Sequence, residues 1–113
     1  LGSRDQTFIN RLRDSIRQNM GDSDFTVERL GEEVGLSRVQ LYRKVKALTG
    51  QTPVDLLKKA RLERARLLVE KTDKSISEIA YEVGFTAPSY FNKCFKDEFG
   101  VSPGALREQG SQL

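Results

Sequence analysis

Histidine and tryptophan are absent from this sequence, and cysteine occurs only once. The lack of histidine removes most zinc sites, the serine–histidine and cysteine–histidine nucleophile pairs, and the commonest general base near neutral pH. The single cysteine, Cys94, cannot form an intrachain disulfide, which is compatible with the reducing cytoplasm where we expect the protein to reside. Long apolar runs are also lacking: none approaches the roughly 20 residues that span a bilayer, and no secretory signal is visible.

Groupings of residues that carry out catalysis are equally scarce. The sequence contains two adjacent acidic pairs, Glu32-Glu33 and Asp97-Glu98. On a helix the two side chains of each pair would project about 100° apart, so they cannot act together in one catalytic site. The sequence contains no glycine-rich phosphate loop and no cluster of metal ligands. We therefore predict that the chain is not an enzyme and that it binds no metal, no cofactor and no membrane.

Positive charge is concentrated in the middle of the chain. The 113 residues carry a net charge of only +3. Residues 36–66, however, hold nine basic and two acidic side chains, a net of +7, while the segments on either side each have a net of −2. A basic segment on a nearly neutral chain is typical of a protein with an anionic partner, and it predicts binding that weakens as salt is added.

Helix signals dominate, and no run of alternating β-branched residues indicates a sheet. Apolar residues at helical spacing, with hydroxyl residues before them and glycines after them, predict about seven helices, so the expected fold class is all-α. The helices are expected at about 5–20, 26–34, 37–49, 53–71, 75–83, 86–99 and 102–106. Ser37 with Gln40 and Ser75 with Glu78 have capping-box spacing, and Thr86 is expected to cap the sixth helix.

The most informative feature is an internal repeat. Residues 26–37 match residues 75–86 at an offset of 49, including a small residue (Gly31, Ala80) and the tripeptide Glu-Val-Gly. At an offset of 50, four residues match four others: Leu41, Val45, Gly50 and Pro53 match Phe91, Phe95, Gly100 and Pro103. The second copy therefore has one extra residue near the start of its second helix. A short helix, a tight turn with glycine and a second helix describe a helix-turn-helix; the alternative, an α-solenoid, generally needs three or more repeats.

The repeat divides the chain into two subdomains around one long helix. We expect a first helix-turn-helix subdomain at residues 5–52, a linker helix at 53–71 and a second subdomain at 72–107. Residues 1–4 are typical of an expression remnant, and residues 108–113 are polar, so both ends are predicted to be disordered or frayed. A remnant of that kind would make this chain part of a longer protein, whose regulatory or dimerisation domain is missing.

The second copy carries the most specific motifs of the chain, which are Ile79-Ala80 to Gly84-Phe85, Ser89-Tyr90-Phe91, Phe95-Lys96, Phe99-Gly100 and Ser102-Pro103. Through them the chain resembles the C-terminal DNA-binding domain of the AraC/XylS family of bacterial transcription regulators, over roughly residues 8–107. The resemblance implies two homeodomain-like units on a linker helix, with both recognition helices in successive major grooves. The first unit departs from the commonest pattern at Lys44 and Thr49, and it looks similar to output domains of hybrid two-component regulators.

Helical geometry selects an outward face on each recognition helix. Opposite the apolar stripe lie two triplets that coincide at an offset of 50, namely Val39, Arg43 and Lys46, and Ser89, Lys93 and Lys96. An outward Arg or Lys suits guanine or a phosphate, and Gln40 and Asn92 suit adenine edges. Since the resemblance implies base reading by the N-terminal half of each helix, the predicted base contacts are Val39, Gln40, Tyr42, Arg43, Pro88, Ser89, Asn92 and Lys93.

Phosphate contacts are expected around the same surface. Helix N-termini attract anions, so the helices beginning near Thr26 and Ser75 can offer backbone N–H groups to phosphate. Arg61 falls on a helical stripe that is otherwise apolar, and it either pairs with a carboxylate or reaches a phosphate. The predicted phosphate contacts are Thr26, Arg38, Lys46, Arg61, Ser75 and Lys96.

Two functions of different classes remain open at this point. The first is sequence-specific binding of double-stranded DNA by two tandem units in adjacent major grooves, roughly 34 Å apart, as the output domain of a bacterial transcription regulator. In a more specific form of this prediction, the regulator belongs to a hybrid two-component system. The second is a protein-interaction module that contacts RNA polymerase or another regulator without strong DNA binding of its own. No pattern in the sequence specifies the operator, the regulatory signal or the choice between activation and repression.

Overall fold

A computed structural model describes residues 2–111 of the chain, which form seven α-helices and no strand. The helices are α1 (Ser3–Asn19), α2 (Val27–Glu33), α3 (Arg38–Thr49), α4 (Pro53–Lys71), α5 (Ile76–Glu82), α6 (Pro88–Phe99) and α7 (Pro103–Ser111). The predicted all-α fold class is confirmed. None of the described helices is both long enough and apolar enough to cross a membrane.

Two compact units divide the chain, and the division falls inside α4. The first unit comprises the described residues up to Met20 together with Asp24–Ala60, and the second comprises Gly21–Ser23 and the residues from Arg61 onward. Each unit has an apolar core of its own, and each core takes side chains from one half of α4. The long helix is therefore a structural part of both helix-turn-helix units, whereas the sequence interpretation placed it between them.

The core of the first unit gathers apolar side chains from α1, α2, α3 and the first half of α4. Its buried members are Phe8, Ile9, Leu12, Ile16, Phe25, Leu30, Val34, Leu41, Val45 and Leu57. Fully burying one such side chain stabilises a fold by about 1.5–3 kcal/mol relative to leaving it exposed. Because Leu41 and Val45 have no exposed surface, they fix which face of α3 turns inward.

The core of the second unit is more aromatic. Its buried members are Leu62, Ala65, Val69, Ile79, Ala80, Val83, Phe85, Phe91, Cys94 and Phe95. The rings of Phe85 and Phe91 lie 5.2 Å apart between centroids, those of Phe91 and Phe95 5.7 Å apart, and those of Phe95 and Phe99 4.7 Å apart. This succession of tilted and edge-on contacts stabilises the inner face of α6 and explains the helical spacing of the phenylalanines.

The start of α6 differs from the prediction. Its N-cap is Ala87, without a side-chain hydrogen bond, and Pro88 occupies the first helical position. The expected cap, Thr86, lies in the preceding turn, so the expectation for Thr86 was wrong. Pro88 makes a side-chain cap less necessary, because proline has a preset φ and no N–H to satisfy. By position relative to the helix start, the counterpart of Ser37 is Ala87 and not Thr86, so Thr86 is the additional residue of the second copy.

Both ends of the described chain are more helical than expected. The first helix begins at Ser3 rather than near residue 5, and α7 continues to Ser111 rather than ending near Leu106. The disorder expected over residues 1–4 and the fraying expected over 108–113 stay predictions, and residues 3–4 and 108–111 belong to these two helices. Residues 1, 112 and 113 lie outside the described part of the chain.

Lys44, which departs from the commonest family pattern, has a partner on α1. Its ammonium nitrogen lies 4.4 Å from the ring centroid of Phe8, a favourable cation–π distance. The aligned residue of the second unit is Cys94, which is buried. The lysine is therefore accommodated by an aromatic ring from α1 and does not leave an unpaired charge against the core.

The guanidinium group of Arg107, on α7, caps the C-terminal end of α4. Arg107 donates hydrogen bonds to the backbone carbonyl oxygens of Val69, Thr72 and Lys74, at 3.3, 3.1 and 2.6 Å. The last carbonyls of a helix have no partner within the helix. Arg107 thus supplies donors where the end of α4 and the loop after it lack them.

Ser15 is the buried polar side chain for which the described structure provides no hydrogen-bond partner at the hydroxyl group. A buried unpaired hydroxyl costs about 1–3 kcal/mol, and alanine has nearly the same shape and a higher helix propensity. We expect Ser15→Ala to raise the free energy of unfolding of the first unit by about 1 kcal/mol, measured by urea denaturation. Ser3→Ala, at an exposed position on the same helix, is the control and should change it little; a less stable Ser15→Ala variant would contradict the assignment.

Candidate nucleic-acid interface

The two units build their turns in the same way. The Leu36 N–H donates to the Gly31 carbonyl at 2.8 Å, and the Phe85 N–H donates to the Ala80 carbonyl at 2.9 Å. Between the two bonded residues of each turn a glycine adopts positive φ, 76° at Gly35 in the first unit and 97° at Gly84 in the second. Residues other than glycine rarely adopt this conformation. Each turn therefore brings a second helix, α3 or α6, back across the first at a set place.

The predicted face of α3 is open to solvent. Val39 and Tyr42 are 59% and 49% exposed, although both are apolar or amphipathic, and Gln40 and Arg43 are exposed beside them. Exposed apolar side chains next to a guanidinium and an amide can contact the thymine methyl group as well as base acceptors. Inward-facing Leu41 fixes this orientation of the helix.

On α6 the corresponding side chains are also exposed. Ser89, Asn92 and Lys93 point away from the core, whereas Pro88 is half-buried. Tyr90, which the predicted base contacts left out, is 54% exposed and stands against Phe85 with ring centroids 6.0 Å apart. Tyr90 flanks the outward triplet of α6 in the sequence, and this position is a signal that could have identified it as an exposed candidate.

Gln40 has a second role that limits it as a base contact. Its Oε1 accepts the Ser37 N–H at 2.9 Å, while Ser37 Oγ accepts the Gln40 N–H at 3.2 Å. This is the predicted capping box. The counterpart expected at Ser75 and Glu78 shows one of the two bonds, from the Glu78 N–H to Ser75 Oγ at 3.1 Å.

Comparison with known proteins assigns the family. A family model described as a helix-turn-helix domain matches residues 30–109, which include α3 to α6 and most of α7. The chain belongs to the AraC-type helix-turn-helix family. The resemblance on which the sequence prediction rested is therefore confirmed.

Relatives of this AraC-type domain come from several kinds of regulator. It is 35% identical over 112 residues to Histidine kinase P4 of Formosa agariphila, covering 99% of this chain and 8% of that protein. The C-terminal domain of AraT, a response regulator from Geobacillus stearothermophilus, superposes with a TM-score of 0.84 at 36% identity, covering 90% of this chain and 84% of that one.

A third similar structure contains DNA. The DNA-binding domain of AdpA, a global transcriptional factor solved in complex with a target DNA, superposes with a TM-score of 0.79 at 29% identity, covering 88% of this chain and 91% of that one. Among the first curated relatives, the AraC-type domain spans between 8% and 46% of the full length.

The predicted phosphate contacts of the AraC-type domain differ in their surroundings. Arg38 pairs with Glu28 at 3.4 Å, both groups being well exposed, so the pair contributes little and is readily exchanged. Lys46 donates to the Gly50 carbonyl at 3.1 Å, at the C-terminal end of α3. Lys96 is exposed at the aligned place on α6. All three have exposed side chains on or beside the recognition helices.

Thr26 and Ser75 are exposed N-caps. Their hydroxyl oxygens accept the backbone N–H of Arg29 at 3.2 Å and of Glu78 at 3.1 Å. The first turns of α2 and α5 also contain a glutamate each, Glu28 and Glu78. These carboxylates already complement the positive helix ends, which weakens the attraction of the two N-termini for a phosphate.

Arg61 is half-buried and engaged within the second unit. It donates to the Asp22 carbonyl at 2.8 Å across 39 residues of sequence. Burial lowers the pKa of Arg61, and the Asp22 carboxylate opposes that shift; an arginine nevertheless remains cationic near neutral pH. The observed contacts of Arg61 are with Asp22, through its backbone carbonyl and its nearby carboxylate, and the phosphate contact of Arg61 stays a prediction.

Proposed function

We propose that this domain binds double-stranded DNA sequence-specifically, with α3 and α6 as recognition helices in adjacent major grooves, as the output domain of a bacterial transcription regulator. The main observation in support of this proposal is that Arg43 and Lys93, which are aligned in the repeat, are both exposed on the second helix of a helix-turn-helix unit. Membership of the helix-turn-helix family and similarity to the DNA-binding domain of AdpA, which was solved with a target DNA, support the proposal. A domain with this role works in the cytoplasm, where bacterial DNA lies, and it performs no chemical reaction on its partner.

Each helix contributes a distinct set of base contacts in this proposal. In α3, Arg43 donates to guanine O6 and N7, and Val39 and Tyr42 supply apolar contacts to thymine methyl groups. In α6, Asn92 pairs with adenine and Lys93 with guanine, with Pro88 and Ser89 at the helix start. Since the two sets differ, the domain reads an asymmetric sequence without a symmetric partner.

Phosphate contacts supply affinity and orientation in this proposal. Arg38, Lys46 and Lys96 provide the charge, and Thr26 and Ser75 provide hydroxyl and backbone donors. Arg61 contributes to the field around the site and retains its contact with Asp22. Release of counterions from neutralised phosphates makes the affinity fall steeply with salt.

The regulatory context is also a proposal. Similarity to a histidine kinase and to the response regulator AraT supports a place at the output end of a two-component system, where another domain senses the signal. RNA polymerase is a second partner consistent with such a role. No contact or exposed group in the described residues favours the alternative of a protein-binding module that does not bind DNA.

Selection of bound sequences from random duplex DNA tests the function. We expect the parent to select two short blocks about ten base pairs apart, Arg43→Ala to relax one block and Lys93→Ala to relax the other. Each variant should lose about 1–3 kcal/mol at the base it reads.

A charge control separates base reading from general attraction. Lys59→Ala removes the same charge from an exposed position on α4 and should weaken binding of all sequences alike, without relaxing either block. Lack of any enrichment by the parent at low salt would contradict the proposal.

A further inference from the structure

The side-chain amide of Gln40 is held in one orientation by the start of its own helix. The Ser37 N–H is a donor, so the atom that faces it at 2.9 Å must be the amide oxygen, Oε1, and not the amide nitrogen. The reciprocal bond from the Gln40 N–H to Ser37 Oγ, at 3.2 Å, completes the box. The amide nitrogen, Nε2, therefore points away from the cap with two protons to donate, and no described residue accepts either of them.

This orientation changes which base edge Gln40 can recognise. A glutamine that reads adenine uses both amide atoms, donating to N7 and accepting from the N6 amino group. Oε1 has a second lone pair, but any further bond to it must be shared with the Ser37 N–H, so the unengaged half of the amide is the donor Nε2. Guanine presents two acceptors in the major groove, N7 and O6, and no donor. Adenine offers Nε2 only N7, and its N6 amino group would have to share the oxygen that the Ser37 N–H already occupies.

We propose that Gln40 is a specificity-determining residue that reads guanine through Nε2 alone, not the adenine that glutamine is first expected to read. The proposal rests on the proposed function and names the base that one residue of α3 recognises. Val39 and Arg43, both exposed on the same face, leave the amide open to a base edge. The aligned residue of α6 is Tyr90, and α6 has no side-chain cap, so this recognition belongs to the first unit only.

The variant Gln40→Glu is expected to keep the capping bond and to remove the outward donor, so it tests the two roles of Gln40 separately. Glutamate is a common capping-box residue at this place, so the Ser37 N–H keeps its acceptor and α3 keeps its start. The outward donor is replaced by an acceptor, which suits the cytosine N4 amino group. In selection from random duplex DNA, we expect the guanine preference at one position of one block to fall about tenfold and cytosine to replace it there, with the other positions unchanged.

Two further variants complete the experiment. Gln40→Ala removes both the cap acceptor and the donor, and it should relax the same position without favouring cytosine. Gln51→Glu adds the same negative charge just after α3 and should leave every base preference as in the parent. Thermal melting followed by circular dichroism should give the parent's midpoint for Gln40→Glu, because the cap is retained.

Three results would overturn the proposal. Adenine at the position that Gln40→Ala relaxes would show that both amide atoms pair with the base. Unchanged base preferences in Gln40→Glu and Gln40→Ala would make Gln40 a capping residue only, while the parent's two blocks would leave the proposed function standing. Absence of any selected sequence with the parent would overturn the proposed function, and this proposal with it.

Discussion

We expect Gly31→Ala to lower the free energy of unfolding of the first unit by about 2 kcal/mol, within the range of overpacked sites. A β-carbon at position 31 would lie 2.6 Å from the carbonyl oxygen of Leu36. That oxygen is part of the backbone of the turn, which is also held by the bond from the Leu36 N–H to the Gly31 carbonyl. Relief of the clash must therefore move the turn and, with it, the start of α3.

Steric overlap and helix propensity predict changes of opposite sign in the free energy of unfolding of Gly31→Ala. By helix propensity alone, alanine in place of glycine inside α2 would stabilise the helix by about 1 kcal/mol. Gly104→Ala is the matched control, because Gly104 lies in α7 with open space around it, and it should be neutral or slightly stabilising. Urea denaturation, with amide exchange to assign the loss to the first unit, gives the measurement. A Gly31→Ala variant as stable as the parent would show that the turn has room.

The second large effect is expected at Arg107. Arg107→Ala should lower the free energy of unfolding of the second unit by about 3 kcal/mol, since hydrogen bonds to charged groups contribute about 1.5–3 kcal/mol each and do not add fully. The loss leaves the Val69, Thr72 and Lys74 carbonyls without this donor at the end of α4. Amide exchange should show the loss of protection first at the C-terminal turn of α4.

Arg107→Lys tests whether the fork-shaped guanidinium matters beyond its charge. A lysine keeps a cation near the C-terminal end of α4, where it is favourable, but its single nitrogen cannot reach three carbonyls in the guanidinium geometry. We expect Arg107→Lys to lower the free energy of unfolding by less than Arg107→Ala does, but by a measurable amount. If Arg107→Ala and the parent unfolded at the same urea concentration with the same slope, the contacts of Arg107 would carry no net stability.

Most of the helices could be predicted from the sequence because their signals are local. The glycines at positive φ, the Ser37 cap and the apolar stripe of α3 each involve residues within a few positions of one another. The start of α6 could not be predicted from the hydroxyl pattern, since Thr86 resembles Ser37 in type but lies one residue too early. Pro88 was the better signal, because proline is common at the first position of a helix.

The candidate site shows the same limit. Helical periodicity was enough to identify the exposed faces of α3 and α6. It was not enough for side chains whose partners lie far away in sequence: Arg61 meets Asp22 39 residues away, and Arg107 meets carbonyls 33 to 38 residues away. Lys44 was recognised as unusual, but only the fold brings it over the Phe8 ring. Such contacts depend on how elements pack, and no local pattern encodes them.

The unequal starts of the two recognition helices matter for retargeting the domain to new DNA sequences. In α3, any library that varies position 40 also varies the N3 half of the capping box, and most replacements lose the bond to the Ser37 N–H. In α6, the helix begins on Pro88 without a side-chain cap, so Ser89 and Asn92 can be randomised without disturbing the helix start. A directed-evolution campaign should therefore recover more folded clones from libraries in α6 than from libraries of equal size in α3.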